Sequence, residues 1–516
     1  MKKFYITTAI DYTSGKPHIG NNYEKVYADV VARFKRLEGY DVLFQTGTDE
    51  HGQKVKENAQ IAGKNPVDFV NEISNEVRKA SDLLNVSYDK FVRTIDPLHI
   101  KKVQEIFEYL YNKGDIYKGT YEGFYCTPCE SYFLEKDLIN ESCPDCSRKV
   151  INKKEEAYFF KLSKYEKQLL EHINNNPEFI KPESKKREMI NNFIKEGLQD
   201  LCVSRSTLDW GIKLPFDPKH VVYVWIDALS NYITFLGYDV NGNHSEEFKK
   251  YWPADYHIIG KDIVRFHTIY WPILLMALDL PLPKTIYGHP WLTIEGGKIS
   301  KSSGNVIYAD QLLKHFHVDM VRYFLIKEVP YQSDGTMSYD LLIDVINTDL
   351  INTLGNLVSR TNAMLIKYFD GIIQAPKQTD KDKELINYAE NLFTNVKKEL
   401  DNCHLSNSLN LIMELFRKSN KYIDENEPWN LAKDSNNNER LGTVLYNLLE
   451  SIRIGSVLLK AYIPDTAEVI LNKLNTKETD FNSIKTFGSI VPGTTITDKD
   501  PLFIRIDKEE KLKELS

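Results

Sequence analysis

A strand that turns directly into a helix is the feature that most restricts the fold of this chain. Residues 3–10 (KFYITTAI) are β-branched and aromatic enough to form a buried strand. After the loop Lys16-Pro17-His18-Ile19-Gly20-Asn21, the apolar residues Val26, Tyr27, Val30, Val31, Phe34 and Leu37 recur at helical spacing, so a helix is expected from near Asn21. The junction aims the positive end of a helix dipole at whatever lies before it, which suits phosphate. Gly20, without a Cβ, lets a flat ring such as adenine approach the backbone. Taken alone, the same loop also reads as an ordinary strand–helix corner.

A second motif changes that balance. Lys298-Ile299-Ser300-Lys301-Ser302 lies between Gly296-Gly297 and Gly304, a pattern suited to a loop that closes and brings two cations with it. In this order the two motifs resemble the HIGH and KMSKS signatures of class I aminoacyl-tRNA synthetases, which activate an amino acid with ATP. Attack at the α-phosphate develops charge on the α-phosphoryl oxygens and on departing pyrophosphate, and fixed donors and cations must meet it. The resemblance implies catalytic roles for His18, Asn21, Lys298 and Lys301. It implies ATP binding by Lys16, His18, Gly20, Asn21, Gly260, Asp262, Leu292 and Lys301, with magnesium accompanying ATP. Two positions depart from the pattern. Asn21 stands where His is usual, as in tryptophanyl members, and offers a neutral donor in place of a cation. Pro290 follows His289 where Gly is usual, which removes a backbone donor.

With 516 residues the chain has room for several domains and a large core. No apolar run approaches the roughly 20 residues a spanning helix needs; the longest candidate, residues 271–278, stops at Asp279. The start, Met1-Lys2-Lys3, lacks the apolar stretch of a signal peptide. A cytoplasmic protein without a membrane partner is therefore expected. The net charge of −7 argues against indiscriminate nucleic-acid binding, so an RNA ligand must use local basic surface such as Lys185-Lys186-Arg187. That triplet reads equally as a solvated helix face.

Cys126-x2-Cys129 and Cys143-x2-Cys146 form two knuckles 13 residues apart. One zinc, two disulfides or a relic that no longer binds metal fit such spacing. The absence of secretory features favours a structural Zn2+ held by all four, with no open position for substrate. Cys202 and Cys403 remain single and fit a reducing compartment.

This cysteine module interrupts a repeating α/β pattern. The expected strand at 41–46 ends in Gly47-Thr48-Asp49-Glu50-His51-Gly52, at the carboxyl edge where such sheets bind ligands. Alternating strands are expected again at 220–226 and 256–259, the latter running into Gly260-Lys261-Asp262. Without the family, that tripeptide reads as a strand-to-helix cap, and Trp225 and Tyr232 as core residues. The fold class expected is an α/β Rossmann-type catalytic domain with a zinc-knuckle connective insertion, followed by an all-α helical-bundle anticodon-binding domain.

Thr8-Ala9-Ile10-Asp11-Tyr12, residues 46–52, Tyr223 to Leu229, residues 259–267 and the cysteine insert each resemble the methionyl-tRNA synthetase family, in order from about residue 4 to about residue 460. Carried over position by position, Ala9, Ile10, Tyr12, Trp225, Ala228, Leu229, Tyr232, Ile263 and His267 line a methionine pocket. Asp49 holds the α-ammonium group. A thioether packs well on aromatic edges, and one polar contact to sulfur is expected from Tyr232 or His267. Apolar selection supplies only about 1–3 kcal/mol per methylene-sized difference, so leakage to homocysteine is expected. From about residue 347 the pattern is helical. Asn356, Arg360 and Trp429 fall on the family's anticodon-contacting motifs, a Trp face and Asn/Arg donors being what unstacked RNA bases require.

The expected layout is a first catalytic half (1–117), the insertion (118–219), a second catalytic half (220–292), the KMSKS loop and stem-contact region (293–346), the anticodon domain (347–475) and a C-terminal extension (476–516). The implied partners are ATP, L-methionine and tRNA(Met), and a monomer is expected. Other readings are a cysteine-specific relative, a silent tRNA-binding paralogue suggested by Asn21 and Pro290, and a small nucleotidylyltransferase. The lack of a metal-ligand constellation in the implied pocket weighs against the first, intact His18, Asp49 and Lys301 against the second, and the long helical half with the KISKS-type loop against the third.

Overall fold

Parallel strand pairing organises the first half of the chain. The computed structural model describes residues 1–516 except 128–130, 134, 145, 295, 296, 299–305, 499 and 516. Two compact units emerge, residues 1–28 with 41–289 and residues 29–40 with 290–516.

In chain order, the first unit contains β1 (Lys3–Thr8), β2 (Asp11–Tyr12), β3 (Asp41–Asp49), β4 (Lys90–Arg93), β5 (Ile116–Cys126), β6 (Ser131–Phe133), β7 (Ile151–Phe160), β8 (Ile180–Lys181), β9 (Leu201–Cys202), β10 (Ser204–Arg205), β11 (Val221–Val222), β12 (Tyr256–Gly260) and β13 (Thr285–His289). The main sheet runs β2-β3-β1-β12-β13-β8, with β4 also beside β3. Every pair in it is parallel. From β1 the chain winds outward to β3 and β4, and later returns to the other side of β1 through β12 and β13. The reversal places a crevice at the carboxyl ends of β1 and β12, where ligands bind in open α/β sheets. Tyr5, Ile6, Phe44, Ile259 and Ile286 are buried along these strands, as doubly covered parallel strands require. Gly47 is needed where β3 meets β4: a Cβ there would lie 2.1 Å from the Val92 carbonyl oxygen.

The insertion forms a separate antiparallel sheet, β6-β5-β7-β9. The strand expected over 220–226 is cut short. Only Val221–Val222 pair, antiparallel to β10, and a helix begins at Val224 and runs to Thr234. That helix is buried on nearly all sides; its polar residues Asp227, Ser230, Asn231 and Thr234 recur at helical spacing, but Val224-Trp225-Ile226 at its start continue the apolar run from Val221 and read as strand.

In the second unit, β14 (Leu292–Ile294) pairs antiparallel with β15 (Gly297–Lys298) and parallel with β16 (Gly335–Met337). A continuous helix then runs from Tyr339 to Phe369. It is long and apolar enough to cross a membrane by those criteria alone, yet half of its most apolar stretch is buried within the protein. Helices Lys383–Asp401, Leu405–Asn426, Asn438–Leu459 and Pro464–Lys473 complete a bundle. Asn438–Leu459 is its axis, buried from Leu441 onward. Residues 478–490 are bound to this axis. The Glu450 carboxylate accepts the backbone N–H groups of Gly488, Ser489 and Ile490. Arg453, paired with Glu450 at 2.6 Å, donates to the carbonyls of Glu478 and Ser483.

Candidate active site

The first helix starts at Ile19, one residue after His18. The His18 carbonyl accepts from the Asn21 and Asn22 backbone N–H groups. Asn21 Oδ1 accepts from the His18 backbone N–H at 3.1 Å, so the Asn21 side chain caps the helix from inside. That bond uses the side-chain oxygen and leaves the NH2 group as the donor of this side chain. Gly20 lies in the first turn, and Lys16 approaches Glu76 at a half-exposed 3.9 Å. Across the switch point, Asp262 packs against Gly260, where an added Cβ would lie 2.7 Å from the Asp262 carboxylate. The Lys261 N–H donates to the His289 carbonyl, and His289 Nε2 lies 2.9 Å from Glu24 on the first helix. Burial raises the pKa of Glu24 against the opposing pull of His289.

The end of β3 is held on every side. Thr13 donates to the Asp49 carbonyl through both N–H and hydroxyl. Arg93 grips the buried Glu50 carboxylate with two bonds, 2.7 and 3.1 Å, while the Trp210 indole donates to the Glu50 carbonyl. Next in sequence, His51 Nδ1 lies 2.7 Å from Asp227 Oδ2, and His99 Nε2 lies 2.8 Å from the other oxygen. Burial alone would raise the pKa of Asp227, but the two imidazoles outweigh it and hold the carboxyl below its usual value. One carboxylate thus ties the segment carrying Asp49 to the helix carrying Trp225, Ala228, Leu229 and Tyr232. His51 was visible within its motif. Asp227 likewise lies within the segment 223–229, without a role assigned to it, and His99 carries no sequence signal, because only the tertiary fold brings the three together.

Trp225 stacks on Phe266 with ring centroids 3.7 Å apart, and His267 stands edge-on to Trp225 at 6.4 Å. The backbone over Phe266–Tyr270 is a π-helical turn, a distortion common at functional sites. The Tyr232 hydroxyl reaches His267 Nε2 at 2.8 Å. Ala9, Trp225 and Ile263 pack at the edge of the core that contains Leu229 and Tyr232, whereas Tyr12 packs against a separate cluster around Val55 and Phe69. Ile10 is half-buried and Ala228 buried.

Three of the four motif cysteines converge. The sulfurs of Cys126, Cys143 and Cys146 lie within 4.8 Å of one another, with Cys126 and Cys146 at 3.5 Å. No described cysteine is in a disulfide. Three thiols in one small apolar cluster with Phe133 suit a soft metal ion. Cys129 and Lys301 lie outside the described residues. In the second unit, Leu292 opens β14 and Lys298 lies in β15. Asn356 is exposed, Arg360 reaches Asp424 at 3.7 Å, and Trp429 is 40% exposed five residues beyond that aspartate. Asp424 has no counterpart in the sequence reading.

A doubly wound sheet with a helix N-terminus at its switch point is the architecture of nucleotide-binding α/β proteins. The family model for class I tRNA synthetases (M) matches residues 4–152 and 134–362, and that for the anticodon binding domain of methionyl tRNA ligase matches residues 372–515. The second match extends across the region expected as a separate C-terminal extension. The methionine–tRNA ligases of Clostridium tetani and Clostridium perfringens are each 54% identical over all of this chain and 80% of their own length. The structure of Mycobacterium tuberculosis methionyl-tRNA synthetase in complex with methionyl-adenylate matches with a TM-score of 0.93 and 39% identity, over 98% of this chain and 100% of that one. The chain belongs to the methionyl family of class I tRNA synthetases.

Proposed function

We propose that the chain is a methionine–tRNA ligase working in two steps. The methionine carboxylate attacks the ATP α-phosphorus and expels pyrophosphate, giving methionyl-adenylate. The 2′-hydroxyl of the terminal tRNA adenosine then takes the methionyl group and releases AMP. What supports this reading best is the crevice at the carboxyl ends of β1, β3 and β12. There Asp49, fixed by its clamped neighbours, lies at the same sheet edge as an aromatic wall of Trp225, Tyr232 and His267.

In this reading Ala9, Ile10, Tyr12, Trp225, Ala228, Leu229, Tyr232, Ile263 and His267 receive the side chain, and Asp49 the ammonium group. His18, Gly20, Asn21, Lys16, Gly260 and Asp262 bind ATP with its magnesium. Lys298, Lys301 and Leu292 are assigned to ATP on the family resemblance alone. Asn356, Arg360 and Trp429 read the anticodon of tRNA(Met). Zinc is the metal best suited to Cys126, Cys129, Cys143 and Cys146, because four thiolates complete a tetrahedron and leave no open position. Metal analysis should find one zinc per chain, lost in C143S together with thermal stability.

The test of the function is ATP–pyrophosphate exchange without tRNA, using methionine, leucine, cysteine and homocysteine separately. Exchange with methionine far above the rest is expected. A folded, zinc-loaded protein that exchanges with none of them would sink the reading and favour a tRNA-binding protein without activity.

A further inference from the structure

Two buried ties join β3 to the helix Val224–Thr234, and these elements carry the residues assigned to opposite ends of the amino acid. β3 ends at Asp49, assigned to the ammonium group, while the helix carries Trp225, Ala228, Leu229 and Tyr232, assigned to the side chain. In the first tie Gln45 Nε2 donates to Asn231 Oδ1 at 2.9 Å and to the Asn231 carbonyl at 3.3 Å. In the second, His51 Nδ1 lies 2.7 Å from Asp227 Oδ2. A carboxylate only accepts, so Nδ1 carries the proton. All four residues are at most 5% exposed.

Their placement matters more than their number. Gln45 and His51 bracket Asp49 along the chain. Asp227 and Asn231, four residues apart, lie one above the other on a single face of the helix. Gln45 itself is fixed in the parallel sheet, in register with Thr7 of β1 and Lys90 of β4. One tie would set a distance and leave the helix free to turn about it; two, one on either side of Asp49, set distance and orientation together. His99 differs. It bonds the other Asp227 oxygen at 2.8 Å and Thr234 at 2.7 Å, but it belongs to the helix Pro97–Asn112, so it steadies Asp227 without linking β3 to the pocket helix.

We propose that Gln45, His51, Asp227 and Asn231 are positioning residues that set the length of amino acid the site accepts. They act through Asp49 and Trp225, by fixing how far the group that grips the ammonium stands from the wall that receives the side chain. Apolar contact separates substrates one methylene apart by about 10- to 200-fold. That discrimination requires a fixed distance, since a site that gives by one bond length accepts the longer chain. The proposal rests on the pocket assignment given above.

Methionine and ethionine, one methylene longer, test it in ATP–pyrophosphate exchange. The preference for methionine in kcat/KM should fall about fivefold or more in His51→Ala, while the KM for ATP changes by less than about threefold. His51→Asn, whose amide keeps a donor near the Nδ1 position, should retain the wild-type preference. His99→Asn breaks its bond to Asp227 and keeps an amide beside Thr234, so it should retain that preference too. Gln45→Leu cuts the other tie and should act like His51→Ala; it carries the test if His51→Ala does not fold.

A wild-type preference in both His51→Ala and Gln45→Leu overturns the proposal. So does a fall in His99→Asn equal to that in His51→Ala, which would mean that any loosening of the buried cluster has the same effect. A fall in His51→Asn as large as in His51→Ala, or a rise in KM for ATP matching that for methionine, overturns it as well. Trp225→Ala separates this failure from failure of the pocket assignment. If Trp225→Ala alters the preference and the tie variants do not, only the ties are refuted; if Trp225→Ala leaves it unchanged, the pocket assignment falls and the proposal with it.

Discussion

Trp429 follows Pro428 at a left-handed turn and keeps two-fifths of its surface open. An exposed indole of this kind is a stacking platform worth about 1–3 kcal/mol per base. W429A should therefore lower kcat/KM for tRNA about 10- to 100-fold and leave ATP–pyrophosphate exchange unchanged; loss of both would make Trp429 structural. His267 gives a second prediction. Its pKa is about 4 in the folded protein because burial disfavours the cation, against about 6.5 unfolded. Between these values the unfolded chain binds a proton that the folded chain does not, so stability falls as pH drops through that window. The expected loss is about 2 kcal/mol between pH 7 and pH 5, read from urea unfolding. His257, shifted the same way, adds to it. H267Q should flatten the dependence, and an equal slope in H267Q would refute the assignment.

Helix Asn438–Leu459 shows how an element can be legible while its purpose is not. Its apolar spacing predicts a helix, but Glu450 and Arg453 in that sequence look like a solvated i,i+3 pair. In the fold both are fully buried, and together they hold residues 478–490 through backbone groups. That stretch had no assigned role in the sequence reading, because its partners are backbone atoms that no residue pattern reports. Glu450→Gln leaves Arg453 charged and poorly compensated, a change that costs about 3–5 kcal/mol in buried pairs. The expected result is a lowered Tm and faster proteolytic cleavage within 478–490; cleavage at the wild-type rate would show that the pair does not hold the segment. The helix at Val224 is the opposite case. Its polar residues Asp227, Ser230, Asn231 and Thr234 keep a helical period, but its first turn, Val224 to Ile226, extends the apolar run of the preceding residues and reads as strand.

At the scale of the whole molecule, net charge governs how RNA is bound. A chain carrying −7 cannot attract tRNA by its overall field, so binding relies on a few local cations, and each phosphate contact makes affinity fall with salt. Raising salt from about 50 to 200 mM should raise the KM for tRNA about tenfold or more while methionine-dependent exchange changes little. Equal sensitivity of the two reactions would mean that salt acts on the catalytic unit itself.

The sequence by itself determined the reaction class, the order of catalytic and helical regions, and most of the proposed contact residues. These lie in short contiguous motifs, such as His18 to Asn21 and Asp49 to Gly52, whose chemistry depends on neighbours in the chain. Only the tertiary structure decided the bonds between distant segments. Asp227 joins His51 to His99, and Thr7 reaches His257 across 250 residues of chain. Such bonds depend on strand order, which sets the distant segments side by side, and on burial, which makes an unpaired polar group costly. Neither leaves a periodic trace in the order of the residues.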